Sequence, residues 1–352
     1  MSTHSDPNVT PRQITAYATL TRNGSIEEWS FRQREARPHD VVYDVLLCGI
    51  CHTDVHMIGP WGQHFPVVPG HEIIGRVTEV GEAVTGFAVG DIVAVGTMVD
   101  SCRRCGPCTA GMESYCENGA TYTYDGLDRI DGSVTRGGFA RSGICDERFL
   151  FHVPDGVDLA GTAPLLCAGI TSYSPLRRWN VGPGSRVGVV GVGGLGHVAI
   201  KLARTLGAEV TAFTTSPDKV EGALALGAHD VVVSRDEAQV AARVNTYDFI
   251  LDTVSTTYPM TPIVNTLKLD GTLCSVGIPD RFDVLPIALA QGRRSIASSG
   301  SGGTRETAEM LAFCAQHGIT ADVEVIKPDA INDAFTRLAA NDVRYRFVID
   351  MR

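Results

Sequence analysis

At 352 residues the chain is long enough for about two domains, each able to bury its own core. Hydrophobic residues make up 44%, charged residues 20%, and there are 38 glycines, a balance that fits an α/β protein and excludes a disordered or fibrous one. The formal net charge of -10 excludes a broad surface for nucleic acid or anionic membrane, and no apolar run approaches the roughly 18 residues of a membrane span.

The opening Met1-Ser2-Thr3-His4-Ser5-Asp6-Pro7 has neither a basic n-region nor an apolar h-region, which predicts a cytoplasmic protein. Ten cysteines in that compartment stay reduced, so clustered ones point to metal rather than to disulfides. Arg293-Arg294 and the Arg344/Arg346 pair are expected to be solvated or ion-paired.

In chain order, Ile14 to Leu20, Trp29 to Arg34 and Val41 to Leu47 are β-branched or aromatic runs separated by Arg22-Asn23-Gly24-Ser25 and Arg37-Pro38-His39-Asp40. This is strand-and-turn punctuation, and it continues through Ile73 to Gly81 and Gly90 to Val95. Among these strands lie Cys51-His52-Thr53-Asp54-Val55-His56 and Pro69-Gly70-His71-Glu72. Zinc takes thiolate and imidazole ligands, and a catalytic site uses three of them and leaves one position open, so Cys51 and His71 are candidates for two. Taken in isolation the pair reads as a buried free thiol beside a structural histidine, and the rest of the chain must decide.

Cys102, Cys105, Cys108 and Cys116 follow within one short lobe, a spacing that can close a tetrahedral shell on a structural zinc. Residues 117 to 150 read as loop and strand, with Gly137-Gly138-Phe139-Ala140 at a strand start. Tyr122 and Tyr124 are offered as pocket residues, against the commoner reading as surface tyrosines.

From about residue 158 helices alternate with buried strands. Leu165 to Tyr173 reads as a helical start, and within it Cys167 is either the third ligand or, taken alone, a core cysteine. The strand Arg186 to Val190 then runs into Gly191-Val192-Gly193-Gly194-Leu195-Gly196, followed by a helix from His197 to Leu206 and a second strand at Glu209 to Phe213. This is the strand–loop–helix context that a dinucleotide-binding GxGxxG requires. Thr214 occupies the strand end where NAD-selective sites place a carboxylate, and Thr215, Ser216 and Lys219 follow, a set suited to the 2′-phosphate of NADP(H). The alternative is that Asp218 turns back to the ribose and the cofactor is NAD. Asp230 to Val233, Phe249 to Asp252 and Thr272 to Gly277 are further parallel strands, Ser298 to Gly303 is a loop returning to the first domain, and Tyr345 to Asp350 is a final strand.

Taken together, Cys48-Gly49-Ile50-Cys51-His52-Thr53-Asp54-Val55-His56, Pro69 to Glu72, the four-cysteine lobe, Pro164-Leu165-Leu166-Cys167-Ala168-Gly169, Gly191 to Gly196 and Asp342 to Asp350 resemble the zinc-dependent medium-chain alcohol dehydrogenases. The likeness is to the cinnamyl alcohol dehydrogenase-like branch with its bacterial NADPH-dependent aldehyde reductases, and it covers residues 12 to 352. It implies an α/β protein with a GroES-like β-rich catalytic domain over residues 1-164 and 299-352, and a Rossmann domain, a doubly wound parallel sheet, over 165-298. It also implies that Cys51 rather than Cys48 is a ligand, that Cys167 is the third, and that Glu72 reaches the zinc when water leaves. Asp54 becomes the carboxylate that orients His71, and Arg346 the partner of Glu72. Thr171, Val276 and Ser299 join Gly191, Gly193, Gly194, Leu195 and Gly196 as cofactor contacts.

By the same resemblance, zinc polarises an aldehyde oxygen, NADPH delivers hydride, and Thr53 relays a proton by way of the nicotinamide ribose to His56 and solvent. The stretch from Cys51 to His71 is slightly shorter than the branch's usual length and holds Met57 to Gly62; it should line the substrate channel, with Trp61 in it. A homodimer paired through the edges of the cofactor sheets is expected, with a small-molecule aldehyde or alcohol as substrate. The competing readings are an NAD-dependent polyol or secondary alcohol dehydrogenase, and a zinc- and nucleotide-binding protein without catalysis.

Overall fold

The structure, a computed structural model, describes residues 12–352; the opening segment Met1–Pro7, read above for a targeting signal, lies outside the described residues. Two sheets organise the chain. The first has seven strands, in the order Val323–Ile326, Arg346–Asp350, Asp40–Ile50, Ile73–Val80, Ile92–Val95 and Leu150–His152, with Ser142–Asp146 paired to Asp40–Ile50. All its pairings are antiparallel except the first. The C-terminal strand thus returns beside the strand that leads to Cys51, pairing Val348 with Gly49.

The second sheet has six parallel strands, in the order Asp230–Val233, Glu209–Thr214, Arg186–Val190, Tyr247–Asp252, Leu267–Ser275 and Ser295–Ser298. Chain order reverses between Arg186–Val190 and Tyr247–Asp252, and at such a switch point an open α/β sheet receives its ligand. The helix Gly196–Thr205 packs between the sheet and the helix Ala168–Arg178, and Val198, Ile200 and Leu202, on different sides of it, are all fully buried. Burial of that kind stabilises by about 1.5–3 kcal/mol per side chain.

Between the sheets lies the segment Ala163–Arg178. Leu165, Leu166 and Ile170 share one apolar cluster with Leu47 and Ile74 of the first sheet and Val187 and Val189 of the second. The helical start expected over Leu165 to Tyr173 is broken in two, a 3-10 turn Ala163–Leu166 and a helix Ala168–Arg178. The break falls at Cys167, whose backbone (φ -124, ψ -69) is not helical. Among the described residues no helix is long and apolar enough to cross a membrane. The arginine pairs are satisfied: Arg294 is buried with its guanidinium on the carbonyls of Leu267 and Ala288, Arg293 pairs with Asp270, and Arg346 with Glu72.

Candidate metal centre and dinucleotide site

Cys51 follows the strand Asp40–Ile50 and caps the helix His52–Ile58, which carries Thr53, Asp54 and His56. Glycines make the approach of the second ligand segment possible. A Cβ on Gly49 would stand 2.0 Å from Glu72 Oε2, and one on Gly70, whose φ is +99, would stand 2.6 Å from Cys48 Sγ. Gly137 lies equally close to Pro69, where a Cβ would meet the carbonyl oxygen at 2.2 Å. The strand start expected at Gly137 to Ala140 is therefore a backbone clamp on the loop before His71. Gly137 N–H donates to Val68 O (2.9 Å) and Phe139 N–H to Pro69 O (3.0 Å), while the strand itself begins at Ser142.

One donor atom each from Cys51, His71, Glu72 and Cys167 falls within a set whose members are all within 4.8 Å of one another, and none of the four residues is more than 9% exposed. Cys102, Cys105, Cys108 and Cys116 form a second such set. Two thiolates at about 2.3 Å from one tetrahedral zinc stand about 3.8 Å apart. Cys51 Sγ and Cys167 Sγ are 3.8 Å apart, and Cys102 Sγ and Cys108 Sγ 3.9 Å. His71 Nε2 and Glu72 Oε2 are buried without a hydrogen-bond partner, a costly arrangement unless something binds them. Electrostatics agree. Burial opposes a charge on His71, yet the Cys51 thiol, Asp54 and Glu72 outweigh it and push its pKa up to about 9. Burial raises Glu72 to about 7 against the pull of Arg346, and the hydrogen bond with Cys167 draws the Cys51 thiol well down. The cluster holds more negative donors than it can compensate, and a divalent cation fits it. In the lobe, the Arg104 backbone N–H draws Cys102 down to about 5, while burial raises Cys108 to about 11.

Asp54, fully buried, accepts from Cys51 N–H (2.7 Å), Gly70 N–H (3.1 Å) and the Tyr124 hydroxyl (2.7 Å). Its distance to His71 Nδ1 is 3.7 Å, too long for a hydrogen bond. It therefore fixes the backbone flanking both ligand segments rather than gripping the imidazole. Tyr124 is 4% exposed, with its ring stacked on His71 and its hydroxyl committed to Asp54, whereas Tyr122 is exposed. Thr53 Oγ1 is 3.6 Å from Cys51 Sγ, and His56 stacks on the exposed Trp61 at 4.4 Å. The Arg346 guanidinium donates to Glu72 Oε1 and packs beside Gly194, where a Cβ would stand 3.0 Å from Arg346 Cδ.

The glycine loop leaves its strand at Gly191, whose φ is +92. A Cβ on Gly196 would meet Gly191 O at 1.8 Å, and one on Gly193 would meet no heavy atom within 4 Å. Gly196 thus permits the tight turn, and Gly193 faces open space of the kind a pyrophosphate needs before the helix headed by Leu195. Thr253, overlooked in the sequence, donates its hydroxyl to Val190 O (2.8 Å) and steadies the turn; a hydroxyl just past the strand end was the available signal. Thr214 is buried with its Oγ1 accepting from Ser216 N–H, Thr215 is exposed, and Lys219 Nζ reaches Val192 O at 3.4 Å, inside the glycine loop. Val276 and Ser299 follow the C-terminal ends of neighbouring strands, and Thr171 lies one turn past Cys167.

A cavity of about 990 Å³ lies elsewhere and is lined by none of the four donors Cys51, His71, Glu72 and Cys167. Its Arg34, Arg37 and Arg103 are already paired with Asp40, Asp128, Asp131, Asp100 and Asp146.

Comparison with known proteins places the chain in a family. Residues 37–155 match the alcohol dehydrogenase GroES-like domain and residues 194–316 the zinc-binding dehydrogenase domain. The NADP-dependent alcohol dehydrogenase C of Mycobacterium bovis is 47% identical, over 96% of this chain and 98% of that protein. The aldehyde reductase YahK of Escherichia coli is 46% identical, over 97% and 99%. Among solved structures, the cinnamyl alcohol dehydrogenase SbCAD4 of Sorghum bicolor superposes with a TM-score of 0.94 at 43% identity, covering 97% of this chain and 98% of that one. With its GroES-like and Rossmann parts and its two zinc-type donor clusters, this chain belongs to the zinc-binding alcohol dehydrogenase family.

Proposed function

We propose that this protein interconverts aldehydes and primary alcohols by hydride transfer with NADP(H), using one catalytic and one structural zinc. The observation that carries the reading is the buried cluster of Cys51, His71, Glu72 and Cys167, linked through Arg346 to the glycine loop. When bound, zinc supplies Lewis-acid polarisation of the carbonyl oxygen and the nicotinamide supplies the hydride. Cys51, His71 and Cys167 would hold the metal, with Glu72, kept in place by Arg346, as a further donor. Asp54 and Tyr124 fix the ligand segments. Thr53 Oγ1 would hand a proton to the substrate oxygen and regain one by way of the nicotinamide ribose and His56, which is half-buried and so open to solvent.

Gly191, Gly193, Gly194, Leu195 and Gly196 cradle the pyrophosphate. Thr214, Thr215, Ser216 and Lys219 receive the 2′-phosphate, and Thr171, Val276 and Ser299 border the nicotinamide half. Trp61 borders the substrate. Cys102, Cys105, Cys108 and Cys116 hold the structural zinc. The catalytic domain comprises residues 1-164 and 299-352, and the cofactor domain 165-298. We place the enzyme in the cytoplasm, in keeping with its ten free thiols, and read it as a homodimer. The strand Ser295–Ser298 ends its sheet without an outer partner among the described residues, and Leu285 and Ile287 just before it are exposed.

Elemental analysis of variants tests the metal assignment. Wild type is expected to hold two zinc ions per chain. Cys51→Ser or Cys167→Ser should lose turnover by about a thousandfold or more while still binding NADPH. Cys105→Ala should lose one zinc and thermal stability. Full activity in Cys167→Ser would contradict the assignment.

A further inference from the structure

Asp125 has no part in the mechanism above, yet its side chain is 1% exposed and fully engaged. Oδ2 accepts the Gln63 N–H at 2.8 Å and Oδ1 the His64 N–H at 2.7 Å, with His64 Nδ1 3.0 Å from the same oxygen. Backbone N–H bonds to a carboxylate are roughly twice as strong as neutral ones. The base of this grip is itself fixed. Asp125 N–H donates to Thr135 O (3.2 Å), and Gly126 N–H to Thr135 Oγ1 (2.9 Å).

What Asp125 holds is the loop from Gly59 to Phe65. That loop carries Trp61, whose ring stacks on His56 and whose N–H donates to His56 O at 3.0 Å. A second set of ties comes from the Arg22–Asn23 turn: Asn23 N–H to Ile58 O (2.8 Å) and Arg22 Nη2 to Gly62 O (3.1 Å). Gly62 cannot yield, since a Cβ there would stand 2.2 Å from Met57 O. The residue before Asp125, Tyr124, donates to Asp54, which in turn accepts the backbone N–H groups of Cys51 and Gly70 beside the ligands. Successive side chains of one dipeptide therefore hold the metal-ligand frame and the Trp61 loop.

We propose that Asp125 is a specificity-determining positioning residue, a latch that fixes the Gly59–Phe65 loop and so sets the wall against which the ring of an aromatic aldehyde packs. The inference rests on the aldehyde-reductase reading and extends it to the substrate class. Asp125 never touches substrate; it acts through the loop. Its φ of +55 supplies a clean pair of variants. Asp125→Gly keeps the left-handed backbone without the carboxylate, and Asp125→Asn tolerates that backbone and retains one acceptor oxygen.

The test measures kcat and KM for benzaldehyde and propanal on the zinc-loaded enzyme with NADPH, together with hydrogen exchange of the Gln63 and His64 amides. In Asp125→Gly the benzaldehyde-to-propanal ratio of kcat/KM is expected to fall about tenfold through the benzaldehyde KM. The propanal kcat should stay within about twofold, both amides should exchange faster, and Asp125→Asn should fall between. An unchanged ratio in a folded Asp125→Gly or Asp125→Asn enzyme overturns the specificity role, and unchanged exchange overturns the latch itself. A wild-type enzyme that reduces neither aldehyde defeats the functional reading instead, and is recognised by failure before any substitution.

Discussion

In the proposed function, Thr214 is the residue on which cofactor choice turns. It ends the strand next to the glycine-loop strand, and its hydroxyl receives the Ser216 N–H that shapes the turn, with Lys219 reaching across to Val192. A carboxylate at this place would accept the same N–H and the ribose hydroxyls but repel a 2′-phosphate. Thr214→Asp is therefore expected to move the NADPH-to-NADH ratio of kcat/KM toward NADH by about tenfold or more, equivalent to about 1.4 kcal/mol. An unchanged ratio would place the phosphate pocket elsewhere. The strand, the glycine turn and the place of Thr214 at a strand end were legible because their signal is local. The contacts of Tyr124 and Asp125 were not: Tyr124 was offered only as a pocket residue, and the partners Asp54, Gln63 and His64 lie 61 to 70 positions away.

At the scale of elements, the helix Gly196–Thr205 does more than cover the sheet. His197 on its first turn is fully buried, with Nδ1 3.0 Å from Gly193 O, while Nε2 accepts from Asp322 N–H at 3.2 Å. Its ring stacks on Tyr345 at 4.7 Å, so one imidazole joins the glycine loop to the segments that bring back the catalytic sheet. Burial pushes its pKa down to about 4. The unfolded chain, with a histidine near 6.5, then binds more protons than the folded chain between those values. The stabilisation from neutral His197 is complete above about pH 6.5 and is lost as pH falls toward 4, up to about 3 kcal/mol. Replacing His197 with Gln should flatten the loss of thermal stability over that window, and an unchanged pH slope would contradict the account. The helix, its strand and the parallel alternation were legible from apolar runs and glycines. The break at Cys167 was not, because only the tertiary approach of Cys51 makes a non-helical residue useful there.

For the whole molecule, one continuous core joins both sheets through Leu165, Leu166 and Ile170, and the donor cluster sits in that seam. The sequence names the ligands by their motifs but not their meeting. Cys51 and Cys167 are separated by 116 positions, and Arg346 reaches Glu72 across 274. The second separation closes because the last strand re-enters the first sheet beside Gly49, and the first because the segment that carries Cys167 packs between the two sheets. The central claim is that this seam binds a zinc on which NADPH-dependent aldehyde reduction depends. The most direct measurement is the initial rate of NADPH and of NADH oxidation with aromatic and aliphatic aldehydes, before and after exhaustive chelation and again after zinc is restored. Turnover is expected to prefer NADPH, to vanish on chelation and to return with zinc. Undiminished turnover in chelated, zinc-free protein, or metal-replete protein that binds NADPH and reduces no aldehyde, would contradict it.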